Sequence, residues 1–370
     1  MNRWVQVYLI PAAVFASVVM GGGYGTGREV IEFFTQYGVV GGLLGIGAAV
    51  CLFAVVLAAT YEFARAFNVY DYRSFFGELI GPFWIFFEIL YLLLFLLVLG
   101  VVGSAAGSIL EDEFGIASNV GMGSVLVLVV ALVFFGRKVI ERILTLWSLG
   151  MYLVFGFYFY EVISNDQVNL GAAFDHGTIE DGWLTGGILY AMYNLAIAPV
   201  LLFSTRAIQS RSEAVMAGIF SAIAVMVPAV LFHISYAAGY PAVLDQPVPN
   251  YWMMSQYTSV LLKGVFLIAL LGTLVETGAG LVQGLIERVE SVMPNDAGND
   301  SSLSHAARAG IAIVTLSIGG LLGTFGIVSL IAQGYSALSV GFAVVYIIPI
   351  CTLGIAKIIR HQSRSGEPAL

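Results

Sequence analysis

Charge is what this sequence has least of. Asp, Glu, Lys and Arg together make up 10% of its 370 residues, where a soluble domain has roughly a quarter because its surface must face water. Ten per cent is too little to coat a globule of this length, so most of the outer surface must meet lipid. Cysteine is nearly absent: Cys51 and Cys351 both lie within apolar stretches, far from each other in sequence. That spacing excludes a disulfide framework and a cysteine metal site. There is no His-Glu-x-x-His run, no close His/Cys cluster and no paired nucleophile and base, so an enzyme is not expected. Basic residues nowhere gather beyond a loop cluster, which excludes nucleic acid as a partner.

What fills the sequence is apolar: 59% hydrophobic residues and a mean hydropathy of +0.93. A bilayer core ~30 Å thick takes ~20 residues of helix at ~1.5 Å each. Stretches of that length recur throughout. They predict an all-α polytopic membrane protein with ten transmembrane helices, at about 4–36, 40–66, 80–110, 120–136, 139–163, 184–208, 212–239, 256–290, 305–323 and 325–359. No room is left for a soluble domain, so residues 1–370 form one membrane domain. Arg3 before an apolar run resembles a signal peptide, but that run leads through a glycine-rich break straight into further helix.

Loop charge fixes an orientation, because Lys and Arg collect on the cytoplasmic side. Under the ten-span reading, thirteen of the fifteen basic residues share one side: Arg3, Arg65, Arg73, Arg137, Lys138, Arg142, Arg206, Arg211, Arg288, Arg308, Lys357, Arg360 and Arg364. Arg28 and Lys263 are the exceptions. The opposite side carries acids, among them Glu111, Asp112, Glu113, Glu161, Asp166, Asp175, Glu180, Asp181 and Asp245. Both termini are therefore expected in the cytoplasm. Small residues four apart (Gly41 and Gly45, Gly103 and Gly107, Gly280 and Gly284, Gly319 and Gly323) predict close helix contacts. The run from Met293 to His305 reads as a solvated linker.

Two spans carry interruptions. The first holds Met20-Gly21-Gly22-Gly23-Tyr24-Gly25-Thr26-Gly27, and glycine at that density cannot hold a regular helix, each costing up to ~1 kcal/mol against Ala. Unwound backbone survives in hydrocarbon only where protein buries it or a wet cavity adjoins it. The half-helix from about Gly27 would present amide donors and a positive dipole end, favouring an anionic group. The sixth span has Asn194-Leu195-Ala196-Ile197-Ala198-Pro199, where proline removes a backbone donor. Ten spans divided five plus five give halves of opposite orientation, near 4–163 and 184–359. Breaks at matching places in inverted halves, here helices 1 and 6 at mid-membrane, mark a transporter's binding site.

The stretch GGGYGTGREVIEFF, Gly21 to Phe34, resembles the amino acid–polyamine–organocation superfamily, whose five-plus-five inverted repeat is that of the bacterial leucine transporters. It is similar to the Gly-x-Gly-Phe-x-Ser-Gly-Gln-Glu motif of the YkvI-like branch, with Tyr24 for Phe, Thr26 for Ser and Arg28 for Gln. The resemblance implies alternating access around spans one, three, six and eight in a bacterial inner membrane. It also implies Na+ between span-one carbonyls and the span-eight hydroxyls of Thr273 and Thr277, with no other cofactor.

On these grounds the expected substrate-binding residues are Gly21, Gly22, Gly23, Tyr24, Gly25, Thr26, Gly27, Gly103, Ser104, Tyr193 and Asn194. Thr273, Glu276 and Thr277, spaced i, i+3, i+4, share one helical face and are candidates for ion coupling, Glu276 as ligand or proton carrier. Arg28 and Glu29 are the gate candidates, with capping the alternative for Glu29. Tyr190 and Phe203 stand as pocket walls or packing, Glu88 with Tyr91 as exit-path lining or as snorkelling to water, and His233 as structural. The function expected is a secondary active transporter of a small solute (an amino acid, an amine or a similar metabolite) coupled to Na+ or H+. The alternative is a ligand-sensing receptor of the same fold. The sequence is silent on oligomeric state.

Overall fold

The computed structural model describes residues 2–19, 22–135, 150, 153–165, 171, 174, 177–291 and 303–365. Every regular element among them is helical, as hydrocarbon demands, since a helix satisfies its backbone within one segment. In chain order they are α1 (Val5–Val19), α2 (Gly22–Thr26), α3 (Arg28–Phe33), α4 (Val39–Phe67), α5 (Tyr72–Ile80), α6 (Trp84–Phe114) and α7 (Ser118–Phe135). There follow α8 (Leu153–Ile163), α9 (Trp183–Leu195), α10 (Ala198–Thr205, a 3-10 helix), α11 (Arg211–Tyr236), α12 (Pro249–Tyr257), α13 (Val260–Ser291) and α14 (His305–Gly323). The last is α15 (Ile327–Ser363).

Six of these stretches are long and apolar enough to cross a membrane, and the bent pair α9–α10 makes a seventh. The helices α1, α7 and α8 are apolar but shorter. The chain is a multi-pass membrane protein. The predicted linker 293–305 and the inter-span residues Arg137, Lys138, Arg142, Asp166 and Asp175 lie outside the described residues, apart from 303–305.

The helices pack as two groups. In one, α4 lies along α11 and α9, and α1 lies against α11. In the other, α6 packs on α7 and α14, and α13 on α6 and α7, around a small core of Phe95, Leu99, Val129, Val133, Val282 and Leu316. Three of the four predicted small-residue pairs sit at such contacts. A Cβ on Gly45 would fall 3.0 Å from the Trp183 carbonyl, one on Gly107 2.6 Å from Ser118 Oγ, and one on Gly319 2.7 Å from Leu99 Cβ. Gly280 and Gly284 have nothing within 4 Å among the described residues.

His233 of α11 is fully buried and ties three segments together. Its Nε2 lies 2.7 Å from the Val39 carbonyl and its Nδ1 2.9 Å from Thr35 Oγ1. A carbonyl only accepts, so Nε2 carries the hydrogen and the threonine hydroxyl donates to Nδ1. The ring fits because position 42 is glycine: a Cβ there would lie 2.2 Å from His233 Cε1. Gly42→Ala is therefore expected to lower thermal stability in detergent, as overpacking costs about 1–3 kcal/mol. Gly47→Ala, on the same helix with nothing within 4 Å, is expected to hold or raise it through better helix propensity.

Ion pairs gather at the two ends of the bundle. Arg3–Glu213, Arg65–Glu62, Arg288–Glu88, Arg308–Glu290 and Lys357–Glu78 all join ends that loop charge assigns to one side. Lys263–Glu113 joins ends assigned to the other. Glu88 accepts from Arg288 at 2.8 Å, whose guanidinium lies 4.9 Å and 4.7 Å from the ring centroids of Tyr72 and Tyr91. At the acidic end, the segment between α11 and α13 is not a plain loop. It contains α12, which closes over α2 and α3.

Candidate functional site at two helix breaks

The first interruption is real, and its centre is Gly27. There the backbone turns left-handed, φ +79°, between α2 and α3, a region that favours glycine. Residues 22–26 form one helical turn rather than a fully unwound strand, and Gly21 lies outside the described residues. A Cβ on Gly27 would fall 1.9 Å from Tyr236 Oη and 2.9 Å from Asn250 Oδ1.

That contact shows how the freed backbone is satisfied. Asn250 of α12 is fully buried, and its Nδ2 donates to the carbonyls of Tyr24 at 2.7 Å and Gly25 at 3.1 Å. Both amide hydrogens are thereby used. Its Oδ1 accepts from Tyr236 Oη at 2.5 Å. Thr26 Oγ1 donates to the Gly23 carbonyl at 3.1 Å and accepts the Arg28 amide at 3.4 Å. The amides of Val30 and Ile31 turn back to the Gly27 carbonyl. The expected display of bare amides and carbonyls is thus largely occupied by the protein itself. With α3 only six residues long, little dipole remains to attract an anion.

The second interruption falls where Pro199 stands. Helix α9 ends at Leu195, the chain resumes as α10 at Ala198, and the two are bent by 60°. Asn194, buried, donates Nδ2 to the Tyr190 carbonyl of its own helix at 3.0 Å. Phe203 is 56% exposed, so it faces outward and walls no interior site.

The two breaks meet at one carboxyl. Glu29, 5% exposed, accepts a short hydrogen bond from Tyr193 Oη of α9. A Cβ at Gly23 would lie 2.4 Å from its Oε1, so the carboxyl rests directly on the backbone of α2. Aromatic rings enclose it. Tyr193 lies 4.6 Å from Tyr335 and 5.6 Å from Phe33, centroid to centroid. Tyr190 lies 5.6 Å from Tyr193 and donates to Tyr24 Oη at 2.7 Å. Tyr335 comes from a π-helical stretch of α15, Leu330–Tyr335, a local widening frequent at functional sites.

Arg28, also buried, does not pair with Glu29. Its Nη2 donates to Glu32 at 2.9 Å, and its Nη1 to the carbonyls of Leu244 at 2.7 Å and Gln246 at 3.2 Å. The guanidinium therefore clasps α3 to the segment leading into α12. An ionised carboxyl left unpaired at the depth of Glu29 costs about several kcal/mol.

The remaining candidates lie on helices packed around this centre. Thr273 of α13 donates to the Ala269 carbonyl one turn back, at 2.9 Å. Glu276 and Thr277 follow on the same helix, half-buried, and α13 packs against α2. Gly103 is a helix contact: a Cβ there would lie 3.0 Å from Met122 Cγ of α7. Ser104 is buried beside it. Sequence reasoning missed Asn250 and Tyr236 altogether. Asparagine beside Pro249 signals a helix start, but nothing in sequence ties it to residues 24 and 25.

No known family profile matches the chain. Over 115 residues it is 30% identical to an uncharacterised membrane protein, YkvI of Bacillus subtilis (strain 168). That match takes in 30% of this chain and 32% of YkvI, so it spans about a third of the relative's length. A crystal structure of the Eremococcus coleocola manganese transporter aligns with 99% of this chain and 89% of its own, at 14% identity and a TM-score of 0.50. The chain has that transporter's fold. At this identity the likeness concerns fold alone. A Na+-coupled sialic acid symporter aligns over 99% of this chain and 97% of its own, at 10% identity and a TM-score of 0.49. These relatives are membrane proteins and transporters rather than enzymes.

Proposed function

We propose that this chain is a secondary active transporter of the amino acid–polyamine–organocation superfamily. It moves a small solute, an amino acid, an amine or a similar metabolite, by alternating access coupled to Na+ or H+. The observation that carries this reading is the Tyr193–Glu29 hydrogen bond, which brings two interrupted helices together at one enclosed polar point. Irregular backbone inside a membrane bundle belongs where solutes cross.

The span count in this reading is ten: six long helices, the bent pair, and α1 (with α2 and α3), α7 and α8. They form inverted repeats over about 4–163 and 184–359. The packing supports that division, because one group holds the first, second, sixth and seventh spans and the other the third, fourth, eighth and ninth. Members of each group thus pair five places apart, as an inverted repeat requires. Ion pairs that join helix ends of one assigned side support a consistent sidedness, and the basic end, with both termini, is taken as cytoplasmic in a bacterial inner membrane. The cargo of the manganese transporter is not carried over. Among the described residues no three His, Cys, Asp or Glu side chains lie close enough to hold a metal ion.

In this reading Gly22 to Gly27, Tyr193 and Asn194 bound the solute path, Arg28 gates its outer end, and Thr273, Glu276 and Thr277 serve the coupling ion. The test is accumulation of labelled amino acids and amines in proteoliposomes under an imposed Na+ or H+ gradient. Gradient-driven accumulation supports transport. Binding of a solute with no accumulation under either gradient contradicts it and leaves a sensor. Glu276→Gln is expected to leave folded protein but abolish ion-coupled uptake; unchanged coupling removes Glu276 from the mechanism.

A further inference from the structure

Among the described residues, no cationic side chain lies beside the carboxyl of Glu29. Arg28, its chain neighbour, is committed to Glu32 and to the carbonyls of Leu244 and Gln246. Around Glu29 stand Tyr190 and Tyr193 from α9, Tyr24 from α2 and Tyr335 from α15, none of them a cation. From α11, Tyr236 is committed to Asn250, and His233 to Thr35 and Val39. From α12, Tyr251 turns to Glu113. The one hydrogen bond to the carboxyl among the described residues is that from Tyr193. A charge so enclosed must be neutralised. With Gly23 against one side and the Tyr193 hydroxyl on the other, the cation that fits without displacing either is a proton.

We propose that Glu29 is a proton-binding site, protonated while the two breaks are closed on each other and ionised when one side opens to water. Resting on the transport reading above, this deepens it by naming H+ as a coupled ion and Glu29 as its carrier. The step is one proton leaving a carboxyl oxygen for water and returning to it, with Tyr193 positioning the group. Tyrosine at 193 then fixes the carboxyl's orientation, and Gly23 leaves the room in which it lies.

Infrared difference spectroscopy of the purified full chain in nanodiscs, across a pH titration, tests this without a known solute. A protonated-carboxyl stretching band is expected near neutral pH, lost in Glu29→Gln, retained in Glu276→Gln, and shifted in frequency in Tyr193→Phe. Monodisperse elution of Glu29→Gln certifies its fold, and the Tyr193→Phe shift identifies the band through a second variant. No band in the wild type, or a band indifferent to both Glu29→Gln and Tyr193→Phe, overturns the proposal. That outcome leaves gradient-driven accumulation of a solute free to succeed, so the two readings fail separately.

Discussion

Gly27→Ala is expected to cost this protein most of its stability and all of its transport. Alanine must adopt φ near +79°, which costs about 1–2 kcal/mol for an L residue. Its methyl would then sit 1.9 Å from Tyr236 Oη, so either the tyrosine leaves or α3 shifts. If the tyrosine leaves, Asn250 loses the donor that orients it, and the carbonyls of Tyr24 and Gly25 lose their amide. Each buried group so stranded adds about 1–3 kcal/mol. Gly326→Ala is the control, because Gly326 has φ +81° but nothing within 4 Å among the described residues. Thermal unfolding in detergent should show a far larger loss for Gly27→Ala. Equal losses would mean that the Tyr236–Asn250 contact contributes nothing.

Arg28→Met is the second large effect. Removing one member of a buried ion pair typically costs about 3–5 kcal/mol, because the other charge stays behind. Here Glu32 would lose its guanidinium, and the Leu244 and Gln246 carbonyls would lose their shared donor. All three contacts hold α3 to the segment before α12, so their loss should release the outer end. A single cysteine at Gln246 should then react faster with a membrane-impermeant thiol reagent than it does with Arg28 in place. Arg28→Lys should restore little, since one ammonium cannot reproduce the guanidinium fork. Unchanged reactivity would show that Arg28 is no gate.

The architecture was legible because lipid imposes simple rules. Span α14 runs His305–Gly323, as apolar length alone predicts, and Gly27 and Pro199 stand where the backbone gives way. His233 is held by two partners and a glycine. Partners across the fold were not legible. Tyr193 reaches Glu29, Asn250 reaches Tyr24, and Arg28 reaches Leu244 over more than 160 residues of sequence, and periodicity carries no record of such pairings. Polarity was misjudged for the same reason. A glycine-rich helix start reads as an anion site until Asn250 and the local turns take up its backbone groups. Glu29 reads as a cap until Tyr193 is seen to face it.

Alternating access requires that the enclosed point between the breaks open to each side of the membrane in turn. A single cysteine at Tyr335, 4.6 Å from the Tyr193 ring, tests it directly once Cys51 and Cys351 are replaced by serine. Impermeant thiol reagent should label that cysteine from outside and, in separate vesicles, from inside, with rates that move in opposite directions when a pH gradient is imposed. Labelling from one side only, whatever the gradient, would contradict alternating access at this site.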